Sequence, residues 1–267
     1  TSHCWQQDHN GYTHQDPGFL NHIVTKKSEI VRIYLPIDAN TLISTFDHIT
    51  KTKNYINVVV ASKHLSLQWL NKEQAIKLCT KGIGILDFAS NSDENADIIL
   101  AGAGDTPMLE IIAASKLLRT YLPNIKVRVI SVIDLMKLES NVDHPHGLPD
   151  SEYDYLFTQD KPIIFAFHGY ANLIHELTYK RHNNNLHVRG YNEEGAITTP
   201  FDMRVLNKID RYNLVLLSLK HLNLMTKEAS DLEAYCQSML DKHYKYIREY
   251  GTDIEEVTNF TYRMEGE

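Results

Sequence analysis

Short runs of β-branched and other apolar residues recur along this chain, and they constrain its fold more than any other feature. Short runs dominated by β-branched residues are typical of strands that a parallel sheet buries on both faces. We predict five such strands, over residues 30–35, 56–61, 98–101, 127–133 and 163–167. Amphipathic helical patterns lie between the runs. This alternation predicts an α/β protein with mostly parallel, doubly wound sheets.

Residues suited to capping helices lie between the predicted strands. Their side chains accept hydrogen bonds from the free backbone N–H groups of a first helical turn. The predicted side-chain caps are Asp38, Asn71, Thr199 and Thr226. Another helix is predicted to begin at Asp105 or Thr106, with Pro107 at its first position. Gly82 is predicted to end the helix after Asn71, because glycine adopts the left-handed conformation without strain.

The spacing of these elements predicts two α/β units. We expect a first unit over residues 1–65, a linker over 66–95 that includes a polar loop, and a second unit over 96–267. The first unit holds only two predicted strands, which are too few to build a sheet covered on both faces. The chain also begins at Thr1 without an initiator methionine or a signal-peptide pattern. We therefore expect a fragment.

Charge and cysteine content exclude several classes of function. The formal net charge is -7 at pH 7, whereas nucleic acid and anionic membranes require a clustered positive field. The three cysteines, Cys4, Cys79 and Cys236, are far apart and include no CxxC pair. This pattern favours a reducing compartment and provides no thiolate metal site, so we predict a cytoplasmic protein.

The most polar stretch lies near the N-terminus. Its imidazoles, His9 and His14, are suited to exchanging protons near neutral pH. Its amides, Gln7, Asn10 and Gln15, both donate and accept hydrogen bonds, as sugar hydroxyls and phosphate oxygens require. Such a density of polar groups is typical of a loop surface or of a site. We favour a site that binds a sugar phosphate.

Other polar motifs have ordinary structural interpretations that compete with functional ones. Residues 101–107 lie at a strand-to-helix turn, but they lack the third glycine of a dinucleotide fingerprint, so a tight turn is favoured. The histidines of 144–147, 168–170 and 182–187 lack the spacing of a zinc site and are expected to form hydrogen bonds within loops. Glu193 and Glu194 are adjacent, so their side chains are expected to point apart. Lys63 follows a strand's carboxyl end, where a phosphate ligand and a solvated charge are both reasonable.

The segment from Ser2 to Phe19 resembles the signature of the xylulose-5-phosphate/fructose-6-phosphate phosphoketolases. Other matching segments follow in the family's order, at 34–42, 102–105, 132–136, 144–148, 168–170, 187–191 and 198–203. The resemblance covers nearly the whole chain. It implies the C-terminal third of such an enzyme: the end of a pyrimidine-binding domain, over residues 1–65, and then a transketolase-like C-terminal domain.

The resemblance also implies an activity. Phosphoketolases use thiamine diphosphate and Mg²⁺ to cleave a ketose phosphate, and inorganic phosphate takes up the acetyl group as acetyl phosphate. The match implies that His14 acts as an acid and base beside the reacting carbons. It implies that His9, Asn10 and Gln7 hold substrate hydroxyls or phosphate, and that Lys63 binds phosphate.

The resemblance further implies that this chain depends on partners. It contains no Gly-Asp-Gly motif for the metal-bound diphosphate, so we expect no metal site and no certain cofactor-binding residue in it. The expected partners are the rest of the phosphoketolase polypeptide, in a homodimer, with a ketose phosphate and inorganic phosphate as substrates. The isolated chain is expected to be inactive. As an alternative, the second unit is a dimerisation or regulatory module, with an anion pocket formed by residues 102–107 and 144–147.

Overall fold

Two sheets organise the protein, as a computed structural model shows for residues 3–5, 16–92, 95–193 and 197–262. The smaller sheet pairs two parallel strands, with Val31 opposite Ile56. The elements of this first part are α1 (Gly18–Val24), β1 (Val31–Tyr34), α2 (Ala39–Lys51) and β2 (Ile56–Val59). Among the described residues, none of the helices combines the length and apolar composition that a bilayer span requires.

The larger sheet has five strands in the order β3-β5-β4-β6-β7. Only β3 runs antiparallel to its neighbour; the other pairs are parallel. The elements of this second part are α3 (Lys72–Lys81), β3 (Ile83–Ile85), β4 (Ile98–Ala103), α4 (Asp105–Tyr121), β5 (Val127–Val132), α5 (Asp150–Phe157), β6 (Ile163–Phe167), α6 (Ala171–Thr178), β7 (Leu186–Arg189), α7 (Pro200–Leu206), α8 (Arg211–Leu222), α9 (Lys227–Tyr250) and α10 (Glu255–Thr258). Short 3-10 helices lie at Asp87–Ala89 and Leu135–Leu138.

The predicted α/β class with mostly parallel sheets is confirmed, and all five predicted strands are present. The sequence analysis missed two edge strands. In β3 a glycine separates two isoleucines, and β7 alternates apolar residues with His187 and Arg189. Neither is the continuous apolar run that indicates a strand buried on both faces. Because β3 lies inside residues 66–95 and pairs with β5, part of the predicted linker belongs to the larger sheet.

Helix ends follow the predicted caps with one exception. The side chains of Asp38, Asn71, Thr199 and Thr226 each accept a hydrogen bond from the first turn of their helix. The prediction that Asp105 or Thr106 caps α4 was wrong. The cap is Gly104, whose φ of 106° lies in a region that residues with a Cβ rarely adopt, so Asp105 becomes the first helical residue.

Both faces of the larger sheet are buried. Along β4, Ile98 and Leu100 belong to one apolar cluster, while Ile99 and Ala101 belong to another, as the alternation of side chains in a strand requires. The first cluster includes residues of α4, α8 and α9. The second includes residues of α5, α6 and β1, so the smaller sheet packs into the core of the larger one.

A buried carboxylate joins three helices on one face of the sheet. Glu110 of α4 is completely buried and accepts hydrogen bonds from Arg204 at 2.8 Å and from the Nε of Arg211 at 2.9 Å. Burial by itself raises the pKa of Glu110, but the charges of Arg211 and Arg204 outweigh burial and lower it from its ordinary value. The carboxylate is therefore ionised and holds two guanidinium groups that have little access to water.

Replacing this carboxylate should destabilise the fold strongly. We expect Glu110→Gln to lower the free energy of unfolding by about 3–5 kcal/mol, because the variant leaves buried guanidinium groups without their counter-ion. The measurement is urea denaturation at neutral pH, with the exposed Glu233→Gln on α9 as the control. Equal stability of the two variants would contradict this account.

Candidate functional site

The structure describes the residues on either side of the polar N-terminal segment. Gln7, His9, Asn10 and His14 lie outside the described residues, as does Gln15. The segment is preceded by residues 3–5 and followed by Asp16 and Pro17. These flanking residues, which we call the two stems, are described, and both contact the larger sheet at the carboxyl ends of its parallel strands.

An ion pair fixes the first stem. His3 is 2% exposed, and its Nε2 lies 2.6 Å from Oδ1 of Asp105, which follows β4. Burial raises the pKa of Asp105, but the hydrogen bond from His3 and the charges of His3 and His168 outweigh burial and lower it. Because an ionised carboxylate only accepts, Nε2 of His3 is the donor in this contact. The pairing joins residues 102 positions apart.

An indole side chain anchors the same stem beside β6. Trp5 is fully buried and donates from Nε1 to the backbone oxygen of His168, over 3.0 Å. Its ring meets Tyr191 edge-on, with 5.7 Å between ring centroids. The rings of His3 and His168 are also in contact, 4.8 Å apart. The stem is therefore held by both a hydrogen bond and aromatic packing.

The second stem lies against the turn after β6. Pro17 approaches Gly169 so closely that a Cβ at that glycine would lie 3.4 Å from the Cβ of Pro17. A Cβ on Gly18 would likewise lie 3.2 Å from the ring of Tyr170. Asp16 accepts a hydrogen bond from the N–H of Gly18 at 2.8 Å. Burial, with a smaller contribution from the charge of Asp16, raises the pKa of the Cys4 thiol to about 12.

Three adjacent strands thus supply the residues that hold the stems. Asp105 follows β4, His168 and Gly169 follow β6, and Tyr191 follows β7. Glycine precedes both Asp105 and Tyr191, because neighbouring segments come too close there to leave room for a side chain. A Cβ on Gly104 would lie 2.9 Å from the Cβ of His168, and one on Gly190 would lie 2.4 Å from the carbonyl oxygen of Gly169. The carboxyl edge of an open α/β sheet is where such proteins commonly place ligand sites.

Lys63 lies beyond the carboxyl end of β2. Its side chain is exposed, and it forms no ion pair with the described residues. The neighbouring Ser62 Oγ accepts a hydrogen bond from the backbone N–H of His64 at 3.0 Å. No contact between Lys63 and the stems is observed, so its predicted role in binding phosphate stays a prediction.

One group of side chains among the described residues could in principle hold a metal ion: His3, Asp105 and His168. The 2.6 Å contact between His3 and Asp105 argues against it, because two ligands of one tetrahedral zinc ion lie about 3.3 Å apart. Mg²⁺ prefers oxygen ligands, and this group offers only one carboxylate. This group of side chains therefore does not fit Mg²⁺.

The other singled-out motifs form local contacts. His182 pairs with Asp154 at 2.8 Å, as expected of a hydrogen-bonding loop residue. His187 contacts Oδ1 of Asn185 at 2.8 Å, but it lies in β7 and not in a loop, so that part of the prediction was wrong. Glu193 is exposed, and Glu194 lies outside the described residues. The predicted anion pocket from 102–107 and 144–147 is not observed as one site, because the pocket that contains His146 is lined by no residue of 102–107.

The sequence analysis did not identify His3 or Trp5 as part of the site. Their roles depend on contacts with Asp105 and His168, more than one hundred positions away. Spacing along the sequence carries no signal for such pairings. The available indications were their position directly before the polar segment and their place in the segment, from Ser2 to Phe19, that resembles the phosphoketolase signature.

Comparisons with known proteins identify the family and the fold of this chain. The family described as D-xylulose 5-phosphate/D-fructose 6-phosphate phosphoketolase matches residues 1–52, and the family described as XFP C-terminal domain matches residues 63–262. The fold is also similar to that of transketolases. The transketolase from Leishmania mexicana aligns over 80% of this chain and 28% of its own, with a TM-score of 0.61 at 12% identity. A split-gene transketolase, titled an inactive beta4 tetramer, aligns over 80% of this chain and 63% of its own, with a TM-score of 0.56 at 14% identity.

Curated relatives are much closer in sequence. A probable phosphoketolase of Clostridium acetobutylicum is 54% identical over 99% of this chain, and probable phosphoketolase 1 of Rhizobium meliloti is 53% identical over 97%. In both cases the match covers 33% of the relative, so the chain spans about a third of the length of these proteins. With family models matching most of its length, the chain belongs to the phosphoketolase family.

Proposed function

We propose that this chain forms the C-terminal part of a thiamine-diphosphate-dependent phosphoketolase. The whole protein would cleave xylulose 5-phosphate or fructose 6-phosphate with inorganic phosphate, giving acetyl phosphate and an aldose phosphate. The observation that carries the proposal is the 54% identity to a probable phosphoketolase over 99% of the chain. The contacts of the two stems with the sheet edge support it, because the sequence between the stems contains the groups the reaction needs.

The proposed roles of the side chains follow from their chemistry. His14 transfers protons at the reacting carbons, since an imidazole gains and loses a proton near neutral pH. His9, Asn10 and Gln7 hold substrate hydroxyls or phosphate through donors and acceptors in one short segment. Lys63 supplies a positive charge for a phosphate group. Its exposed position at the end of β2 leaves it accessible to a ligand.

The stems serve this site by positioning. Catalysis depends on holding reacting groups within a fraction of an ångström, so the polar segment needs fixed ends. His3 and Trp5 fix one end, and the packing of Pro17 against Gly169 fixes the other. We assign His3 and Asp105 as positioning residues, which contact the catalytic segment's flank rather than the substrate.

We assign the cofactor to other parts of the whole protein. The group of His3, Asp105 and His168 does not fit Mg²⁺, and the chain contains no Gly-Asp-Gly motif, so thiamine diphosphate and Mg²⁺ would be held by residues outside this chain. The proposed assembly is a homodimer of the whole polypeptide. A cytoplasmic location is consistent with the three free cysteines. We retain the proposed division into residues 1–65 and 96–267, with 66–95 between them.

Replacing the proposed acid and base tests the function. In the natural polypeptide that contains this sequence, His14→Ala should lower kcat by about 10²–10⁴-fold, the usual contribution of a general acid or base. The measurement is acetyl phosphate formation from fructose 6-phosphate and inorganic phosphate. The control is His22→Ala, an exposed histidine of α1. Full activity of the His14 variant, or no phosphoketolase activity of the unchanged protein, would refute the proposal.

A double-mutant cycle tests the positioning role. Asp105→Asn and His3→Gln should each lower kcat by about ten- to a hundredfold, because both release the first stem. The double variant should be no worse than either single variant, since both changes break one contact. KM for the ketose phosphate should change less than kcat. Additive losses, or losses that follow thermal stability alone, would show that the pair has only a structural role.

A further inference from the structure

A second polar pocket lies away from the stems, where the two parts of the chain meet. Residues of β1, α2 and α3 line it together with side chains that follow β5, and its volume is about 950 Å³. We call it the inter-unit pocket. Among its lining residues are Arg32, Tyr34, Lys72, Asp134, Lys137 and His146. None of the stem residues borders it.

Tyr34 lines this pocket, and its hydroxyl group has no hydrogen-bond partner among the described residues. The residue is 4% exposed, and its hydroxyl oxygen is buried without a hydrogen bond to any described residue. Its ring is fixed between the edge of His48 and the guanidinium group of Arg32, which lies 5.5 Å from the ring centroid. Burial raises the pKa of Tyr34 to about 12, so the hydroxyl keeps its proton and remains a donor.

Arg32 lies on the same face of β1, two residues before Tyr34. One terminal nitrogen pairs with Asp134, and the other contacts Nδ1 of His146 at 3.0 Å. The remaining donor, Nε, is buried and has no acceptor among the described residues. Oδ2 of Asp134 accepts from the terminal nitrogen of Arg32, and Oδ1 accepts from the N–H of Met136 at 3.1 Å.

The contact with Arg32 fixes the tautomer of His146. A guanidinium group only donates, so Nδ1 of His146 must accept and Nε2 must carry the proton. Nε2 is buried and has no acceptor among the described residues. Burial, followed by the charge of Arg32, lowers the pKa of His146, so the ring is neutral and keeps this tautomer. The inter-unit pocket therefore has a third donor without an acceptor.

The charges around these donors are mostly positive. Arg32 and Asp134 neutralise each other, and Asp47 at the rim is paired with Lys51 at 2.6 Å. Lys72 and Lys137 also line the pocket, and neither forms an ion pair with a described residue. Three donors without acceptors, beside two unpaired lysines, match the chemistry of an oxyanion, which offers acceptors and negative charge together.

We propose that the inter-unit pocket binds a small metabolite through a phosphate or carboxylate group that accepts hydrogen bonds from Tyr34, Arg32 and His146. Lys72 and Lys137 supply the positive charge that attracts it. The pocket volume falls within the range of small-molecule sites, about 300–1,000 Å³. This site goes beyond the proposed reaction, because it uses none of the residues assigned to catalysis.

The test measures anion binding to the natural polypeptide that contains this sequence. Pyrophosphate, inorganic phosphate and malonate are titrated by calorimetry at constant ionic strength, so the phosphate and carboxylate sources are separated. We expect at least one of them to bind with a millimolar or lower Kd. Tyr34→Phe, which removes only the hydroxyl, should weaken that binding about tenfold, as the loss of one hydrogen bond to an anion does. Tyr179→Phe, at an exposed tyrosine far along the chain, should bind as the unchanged protein does.

Two further variants keep the result decisive. Lys137→Gln should also weaken binding and reduce its dependence on salt, even if Tyr34→Phe fails to fold. Lys63→Gln should leave it unchanged, because Lys63 belongs to the proposed catalytic site. Binding of none of the three anions, or binding that only Lys63→Gln weakens, would overturn the proposal. Equal affinity of the Tyr34→Phe and Tyr179→Phe variants would overturn it as well.

Discussion

The hydrogen bond between His3 and Asp105 is the contact on which the candidate site depends. A segment as polar as residues 6–15 has few apolar groups to bury, so it gains little from packing and needs external anchors. The sheet supplies them at one edge. Asp105 holds His3, the backbone of His168 holds Trp5, and Gly169 leaves room for Pro17. The second part of the chain thereby holds the two stems that flank the residues proposed for catalysis.

This support follows from the order of the strands. Because β4, β6 and β7 are neighbours and parallel, their carboxyl ends lie side by side, and the residues after them converge. The convergence is tight enough to exclude side chains at Gly104 and Gly190. Motifs that are far apart in the sequence, at 102–105, 168–170 and 187–191, are therefore parts of one surface.

The sequence predicted local structure better than it predicted contacts between residues that are far apart along the chain. Apolar runs located all five predicted strands, and Asn71 and Gly82 marked both ends of α3, because these signals depend on neighbouring residues. The predicted start of α4 was wrong. Asp105 is a residue type that often caps helices, but here its carboxylate contacts His3. Contacts such as Arg32 with Asp134 and Trp5 with His168 join distant positions, and only the assembled sheets bring them together. The residues proposed for catalysis were identified by resemblance and by composition alone.

Both proposed sites are connected to the contact between β1 and the larger sheet, which we call the joint. Strand β1 is tied to the larger sheet by the hydrogen bond from Leu35 to the carbonyl oxygen of Ile133 at 2.7 Å, and by the pairing of Arg32 with Asp134. The inter-unit pocket opens beside this joint, and α1 connects β1 to the second stem. An anion that bridges β1 and His146 would add a further contact across this joint. Any difference in affinity between two arrangements of the joint would act on both sites reciprocally, because linkage requires the coupling to be equal in the two directions.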